Sequence, residues 1–152
     1  MWMRLKNFME EVMIARKRRI GKRPILDPKT QKLIASEYQE CKAFWQYAIE
    51  AGFHDDLVKN ANERKENDSW FINALFAIGF RKGLPDYHYI CANQTYHGLW
   101  IEMKRMDERG KKTKSEQDEW IARLLKKGHY ASYAYGCEDA IRIYKDYVNN
   151  RI

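Results

Sequence analysis

The sequence predicts an α/β layer structure in which helices cover a small sheet. Two segments of strand-like composition, 87–92 and 97–105, follow each other closely, and a third lies at 129–135. Segments with helical periodicity flank or separate them, at about 29–51, 115–127 and 138–149. The order helix, two or three strands, helix, strand, helix is typical of layered α/β domains. A chain of 152 residues suits one such domain.

Residues 1–28 differ from the rest of the chain in charge. Residues 1–24 contain eight basic and two acidic residues, a net charge of +6 out of +7 for the whole chain. Apolar residues at helical spacing within 3–19 predict a basic helix, and the two prolines in 21–28 predict a connector. We therefore predict a basic N-terminal helical extension with its connector, 1–28, followed by one domain, 29–152. A basic segment attracts polyanions such as nucleic acid, although a solvated tail has the same composition.

The first helix of the domain is predicted from about Lys29 to Ala51, with Gly52 as the residue that ends it. The pattern in 53–82 is weaker. There, residues 67–69 (Asn-Asp-Ser) can cap a short helix that Gly79 ends. Its apolar side would contain Phe71, Leu75 and Ile78.

The two consecutive strands, 87–92 and 97–105, predict a hairpin whose turn contains 93–95 (Asn-Gln-Thr). Residues 106–114 are charged and predict a loop. Ser115 is the predicted N-cap of a helix that reaches Lys127 and is stopped by Gly128. This helix is expected to bury its apolar residues, which are Trp120, Ile121, Leu124 and Leu125.

The composition also bears on the compartment. No apolar stretch approaches the roughly 20 residues that a membrane-spanning helix needs, so we expect no membrane association. The three cysteines, Cys41, Cys91 and Cys137, are far apart and odd in number. This pattern predicts reduced thiols in a cytoplasmic protein rather than a disulfide framework or a cysteine metal site.

Charged residues in the second strand of the hairpin are the main indication of chemistry. Successive side chains of a strand alternate between faces, so Glu102 and Lys104 share a face with Trp100, and Leu99, Ile101 and Met103 share the other. Asp86 opens the preceding strand and can approach Glu102 across the hairpin. Two carboxylates are typical ligands of Mg²⁺ or Mn²⁺, and a neighbouring lysine can orient water or neutralise a phosphate. A surface ion pair between Glu102 and Lys104 is the alternative interpretation.

Three segments in order resemble the VRR-NUC family of the PD-(D/E)xK nuclease superfamily, in its small stand-alone viral and bacterial form. They are 83–87 (Gly-Leu-Pro-Asp-Tyr), 96–105 (Tyr-His-Gly-Leu-Trp-Ile-Glu-Met-Lys-Arg) and 115–120 (Ser-Glu-Gln-Asp-Glu-Trp). The resemblance covers roughly 36–148. It implies a restriction-endonuclease-like core: a helix, a mixed three- to four-stranded sheet with a crossover helix, and a final helix.

The resemblance also implies roles for the residues that match its motifs. Asp86 and Glu102 would be metal ligands together with the main-chain carbonyl of Met103, and Lys104 would be the catalytic lysine. Gln117 matches the motif glutamine that helps to place water or phosphate, although an exposed polar residue at a helix start is the alternative. The family's glutamate on the first core helix would be Glu37, with Glu40 as the rival or a solvated glutamate as the plain alternative.

Contacts to DNA are implied for a set of basic and polar residues around these motifs: Arg81, Lys82, Arg64, Asn62 and Arg105. Two departures affect this set. The proline that usually precedes the segment 62–64 (Asn-Glu-Arg) is absent, and the name-giving Val-Arg-Arg triplet is replaced by residues 79–82 (Gly-Phe-Arg-Lys).

The function that the resemblance implies is metal-dependent DNA cleavage. We expect a Mg²⁺- or Mn²⁺-dependent endonuclease, selective for branched DNA such as four-way junctions, acting as a homodimer in the cytoplasm of a bacterium or a virus-infected cell. The alternative is a non-catalytic nucleic-acid-binding accessory protein that retains the nuclease fold.

Overall fold

A four-stranded mixed sheet forms the centre of the protein. The computed structural model describes residues 25–26, 33–60, 73 and 75–152. In this part of the chain the sheet strands are β3 (Leu57–Lys59), β4 (Tyr87–Tyr89), β5 (Leu99–Lys104) and β6 (Tyr130–Tyr135). They lie in the order β3-β4-β5-β6, antiparallel except for the parallel pair β5 and β6. The two short strands that precede them, β1 (Ile25–Leu26) and β2 (Leu33–Ile34), form a separate antiparallel ribbon.

Helix α1 (Glu37–Ala51) begins later than the sequence predicts. Residues 33–34 are extended in β2, and the connector predicted at 21–28 contains β1. Ser36 fixes the start because its hydroxyl accepts from the Gln39 N–H while the Gln39 side chain accepts from the Ser36 N–H, a reciprocal capping box. Gly52 ends the helix with φ of 79°, as predicted. The predicted basic helix in 3–19 lies outside the described residues.

Helices α1 and α3 (Cys137–Val148) pack together against one face of the sheet. Leu99, Ile101 and Met103 point into this layer and are almost completely buried. Phe44 of α1 meets the Tyr87 ring edge-on at 5.3 Å. The predicted alternation of β5 is therefore confirmed, because the intervening residues face the opposite side.

The hairpin of β4 and β5 has shorter strands than predicted. Strand β4 ends at Tyr89 rather than at residue 92, and β5 begins at Leu99 rather than at residue 97. The Asn93 side chain accounts for part of the difference, since its carbonyl accepts from the backbone N–H groups of Thr95 and Tyr96 and its amide donates to the Tyr147 carbonyl. These bonds hold the connection in a turn instead of a ladder.

Helix α2 (Ser115–Lys126) crosses the face opposite α1 and α3 and connects the parallel pair β5 and β6. Ser115 is its first helical residue, so the predicted N-cap was wrong by one position, and Lys114 stands there instead. Leu124 is buried, as predicted, whereas Leu125 is exposed. In the segment before β4, residues 75–77 are helical and Gly79 has φ of 97°, in agreement with the predicted end of the short helix. Ile78, on its predicted apolar side, is 82% exposed. The predicted cap at 67–69 and Phe71 lie outside the described residues.

The predicted core arrangement is confirmed: a helix, a mixed four-stranded sheet with a crossover helix, and a final helix. The division at residues 28 and 29 stays a prediction, and ribbon β1–β2 joins its two sides. The cysteines are free, as predicted. Among the described residues, no helix has the length and apolar character that crossing a membrane requires.

A buried carboxylate links the two helices that pack beneath the sheet. Glu40 of α1 is 3% exposed, and its Oε2 accepts from the Cys137 N–H at 2.7 Å, at the first turn of α3. Burial raises the pKa of Glu40, and this hydrogen bond partly offsets the rise. A carboxylate at a helix N-terminus is favourable because the first N–H groups of a helix have no partner within it. Glu40 is therefore placed as a structural link between α1 and α3.

We predict that Glu40→Ala lowers the free energy of unfolding by about 1–3 kcal/mol, because it leaves the buried Cys137 N–H without its acceptor. Urea denaturation measures this change. Glu138→Ala, at an exposed position of the same helix turn, is the control and should change stability by less than about 0.5 kcal/mol. Equal effects of the two substitutions would contradict the proposed link.

Candidate functional site

Asp86 immediately precedes β4 and is held there by contacts on both sides. The preceding Pro85 is fully buried, and its carbonyl accepts from the Asn60 side-chain amide at 2.7 Å. The Asp86 carbonyl accepts from the Asn60 N–H, which continues the pairing of β3 and β4 by one residue. The Asp86 Oδ2 accepts from the Met103 N–H at 2.9 Å. The carboxylate is therefore fixed against β5, and only 5% of the residue is exposed.

Glu102 and Lys104 lie on the face of β5 that α2 covers. The Lys104 Nζ donates to Glu102 Oε1 at 3.1 Å and to Gln117 Oε1 at 2.8 Å, and the Gln117 amide donates to Glu102 Oε1. The structure thus brings Gln117 to the two strand residues, although it is more than ten positions away in sequence. Glu102 is also only 5% exposed, so the pair is not the surface ion pair that the sequence left open.

The two carboxylates influence each other. Burial raises the pKa of Glu102 to about 7, and repulsion from Asp86 adds to the rise, while Lys104 and Lys59 oppose it. Without a metal ion, ionisation of both carboxylates therefore destabilises the fold, because both are removed from water and repel each other.

The donor set fits a hard divalent cation. Asp86 and Glu102 supply carboxylate oxygens close to the main chain at Met103, and Mg²⁺ is usually held by one or two carboxylates completed by other oxygens and water. Within the described residues, no group of three or more histidine, cysteine, aspartate or glutamate side chains is arranged to hold a metal ion. An ion at this place would accordingly depend on the carboxylate pair, a carbonyl and water.

The first turn of α2, which carries Gln117, is anchored at several points. The Trp120 indole N–H donates to the Lys82 carbonyl at 2.9 Å. Gly83 has φ of 81°, and a Cβ there would lie 2.8 Å from the Glu116 carbonyl carbon, so only glycine allows this close approach. Thr113 and Tyr133 both donate to the Asp118 carboxylate at 2.7 Å. These contacts fix the helix start relative to the turn before β4 and to β6.

The structure separates the two candidate glutamates of α1. Glu40 is committed to the Cys137 N–H beneath the sheet, as described above. Glu37 is half-buried in the first turn, and its charge, like that of Asp86, acts on the Cys41 thiol, whose pKa burial raises to about 12. The role of Glu37 in the site stays a prediction.

The predicted DNA-contacting residues fall into different surroundings. Arg81 and Lys82 are exposed just before the turn at Gly83. Arg105 is 8% exposed, and its Nε donates to Asp107 at 3.0 Å, so the structure gives it an intramolecular partner. Asn62 and Arg64 lie outside the described residues.

Sequence reasoning missed Lys59. Its Nζ donates to Asp86 Oδ1 at 2.5 Å, so the carboxylate pair has a second lysine beside it. Strand β3 has three residues, too few for a periodicity, and no motif singled it out. His88 of β4 stacks on Trp100 of β5 at 3.9 Å between ring centroids, and burial there lowers its pKa.

We predict that Glu102→Gln stabilises the metal-free protein at pH 8. The folded-state pKa of about 7 lies above the ordinary glutamate pKa of 4.5. The stability that the protonated group contributes is therefore fully present below about pH 4.5 and is lost as the pH rises through 7. The substitution removes this loss, which should be on the order of 1–3 kcal/mol. Urea denaturation in EDTA at pH 5 and pH 8 measures it.

The control for this experiment is Glu119→Gln, an exposed position on α2. It should keep the pH dependence of the unmodified chain, whereas Glu102→Gln should flatten it between pH 5 and pH 8. An unchanged pH dependence in Glu102→Gln would contradict the electrostatic description of the site.

Comparisons with known proteins bear on the fold. No family model and no curated protein matches the sequence. A solved structure described as a VRR_NUC domain protein superposes with a TM-score of 0.63 and 22% sequence identity, over 74% of this chain and 88% of that chain. The chain therefore has the fold of a VRR_NUC domain protein, as its motifs implied.

Proposed function

We propose that this chain is a metal-dependent DNA endonuclease of the VRR-NUC family. The observation that carries the proposal is the cluster of Asp86, Glu102, Lys104 and Gln117 at one end of the sheet, with both carboxylates almost completely buried. Burying two neighbouring carboxylates destabilises a fold, because both charges lose their hydration. Its presence on a fold shared with a VRR_NUC domain protein supports a catalytic use.

The residues have distinct parts in hydrolysis of a phosphodiester bond. Asp86 and Glu102, with the Met103 carbonyl, would hold Mg²⁺ or Mn²⁺. When bound, such an ion supplies a Lewis acid that activates the attacking water and offsets charge developing on the phosphate. Attack of water at phosphorus then breaks one P–O ester bond and leaves a phosphate end and a hydroxyl end.

Lys104 and Gln117 act next to the carboxylates. The Lys104 ammonium is 13% exposed and is held by both Glu102 and Gln117, so its direction is fixed before substrate binds. From this position it can neutralise a phosphate oxygen or orient water. Gln117 accepts from Lys104 through its side-chain carbonyl and donates to Glu102 through its side-chain amide. It thereby fixes the positions of the lysine and the carboxylate relative to each other.

The substrate is proposed to be DNA, with a preference for branched forms. The formal charge of +7 favours a polyanionic partner, and the exposed Arg81 and Lys82 stand beside the turn that leads to Asp86. Resolution of a four-way junction requires cuts in two strands, so a homodimer with two sites belongs to the proposal. The fold likeness supports the nuclease class, and the branched substrate and the dimer rest on the motif resemblance alone.

We predict that Asp86→Asn and Lys104→Met each reduce DNA cleavage at least about 100-fold, because the first removes a carboxylate ligand of the metal and the second a positive charge beside the phosphate. The assay incubates supercoiled plasmid or a synthetic four-way junction with the protein in Mg²⁺, in Mn²⁺ or in EDTA. Lys145→Met is the matched control, since α3 lies on the opposite face of the sheet, and it should cleave like the unmodified chain.

The outcomes separate the candidate functions. Cleavage in the presence of the metal and not in EDTA, lost in both site variants, supports the nuclease. DNA binding without cleavage under any condition would favour the non-catalytic accessory protein. Equal cleavage of linear duplex and four-way junction would remove the proposed selectivity while leaving the nuclease in place.

A further inference from the structure

Lys59 contacts the site from the side opposite Lys104 and has no part in the mechanism above. It pairs with Tyr87 across β3 and β4, and directly paired residues share a face, so its side chain starts on the α1 side of the sheet. It then passes the Tyr87 ring, with the ammonium 5.0 Å from the ring centroid, and reaches Asp86 just before the start of β4.

The ammonium contacts the Asp86 oxygen that does not accept from the backbone of β5. The Oδ2 atom of Asp86 accepts from the Met103 N–H at 2.9 Å, whereas Oδ1 accepts from Lys59 at 2.5 Å. The backbone bond is part of the β4–β5 connection and cannot be given up without disturbing the hairpin. An ion that approaches Asp86 therefore meets Lys59 at the oxygen that remains.

The two lysines of the site differ in how firmly they are held. The Lys104 side chain is 13% exposed and has two acceptors, on Glu102 and Gln117. The Lys59 side chain is 37% exposed and ends a flexible four-carbon stem on a three-residue edge strand. Once it is released from Asp86, this ammonium can turn toward solvent, where a lysine ammonium is strongly hydrated.

We propose that Lys59 is the resident counterion of Asp86, which the divalent cation must displace when it binds. Without the ion, the ammonium offsets one of two facing buried carboxylates and stabilises the empty arrangement. With the ion, the same ammonium is released from Asp86 while remaining tethered beside it. Lys59 thus lowers the affinity of the site for the cation and raises the stability of the metal-free fold. The inference rests on the proposed metal-dependent function.

The test measures Mn²⁺ binding to the metal-free full chain by isothermal titration calorimetry, with thermal unfolding in EDTA as a second readout. Lys59→Met removes the competing charge and keeps most of the stem. It should bind Mn²⁺ about 5- to 30-fold more tightly than the unmodified chain, as expected for the loss of a competing, partly buried ion pair. Its melting temperature in EDTA should fall, and Mn²⁺ should raise that temperature by more than in the unmodified chain.

Two further variants control for charge in general. Lys59→Arg keeps the positive charge beside Asp86 and should bind Mn²⁺ within about threefold of the unmodified chain. Lys126→Met removes an exposed charge at the far end of α2 and should leave both Mn²⁺ affinity and melting temperature unchanged.

The outcomes distinguish this inference from the proposed function. Unchanged or weaker Mn²⁺ binding in Lys59→Met, with binding that Asp86→Asn abolishes, overturns the counterion role and leaves the metal site standing. Absence of Mn²⁺ binding in every variant overturns both. Tighter binding in Lys59→Met and in Lys126→Met alike would show a general charge effect and would also overturn the inference.

Discussion

The interaction on which the site depends is the mutual repulsion of Asp86 and Glu102, two carboxylates that are each 5% exposed. Burial and the charge of Asp86 together raise the pKa of Glu102 to about 7, which measures how poorly the fold tolerates both charges. Each carboxylate is offset by a lysine, Lys104 on the α2 side and Lys59 on the α1 side. A divalent cation that contacted both carboxylates would replace their mutual repulsion with attraction to one ion, and this is the property that a metal site would exploit.

The remainder of the fold can be understood as the support for this pair. The layer of α1, α3 and the apolar face of β5 makes the strand rigid, since Leu99, Ile101 and Met103 are almost completely buried. Glu40 fixes α1 to the start of α3 through the Cys137 N–H. On the other face, the anchored first turn of α2 holds Gln117 against Glu102 and Lys104. A carboxylate pair of this kind needs a rigid frame, because any relaxation that admitted water would also relieve the repulsion.

Local patterns predicted the elements of the chain better than their boundaries. Alternation along β5 predicted correctly which residues face the core and which face the site, because side-chain direction in a strand follows from backbone geometry alone. The start of α1 was wrong, since propensity continued the helix back to Lys29 whereas Ser36 and Gln39 form the capping box and 33–34 pair with 25–26. Lys59 could not be predicted, because its contact with Asp86 depends on a long-range pairing of β3 and β4 that no local pattern encodes. The motifs predicted the two carboxylates and Lys104, whereas the pairing of β3 and β4 placed Lys59 beside them.

The position of the site follows from the change in strand direction within the sheet. Strand β5 is antiparallel to β4 on one side and parallel to β6 on the other. The antiparallel partner brings Asp86, at the start of β4, to the carboxyl end of β5, where Glu102 and Lys104 lie. The parallel partner requires the chain to leave that same end and to return by a crossover over one face, so α2 must begin near Lys104. Two carboxylates, a lysine and a glutamine therefore meet at one end of one strand, because each neighbour of β5 delivers its contribution there and nowhere else along the strand.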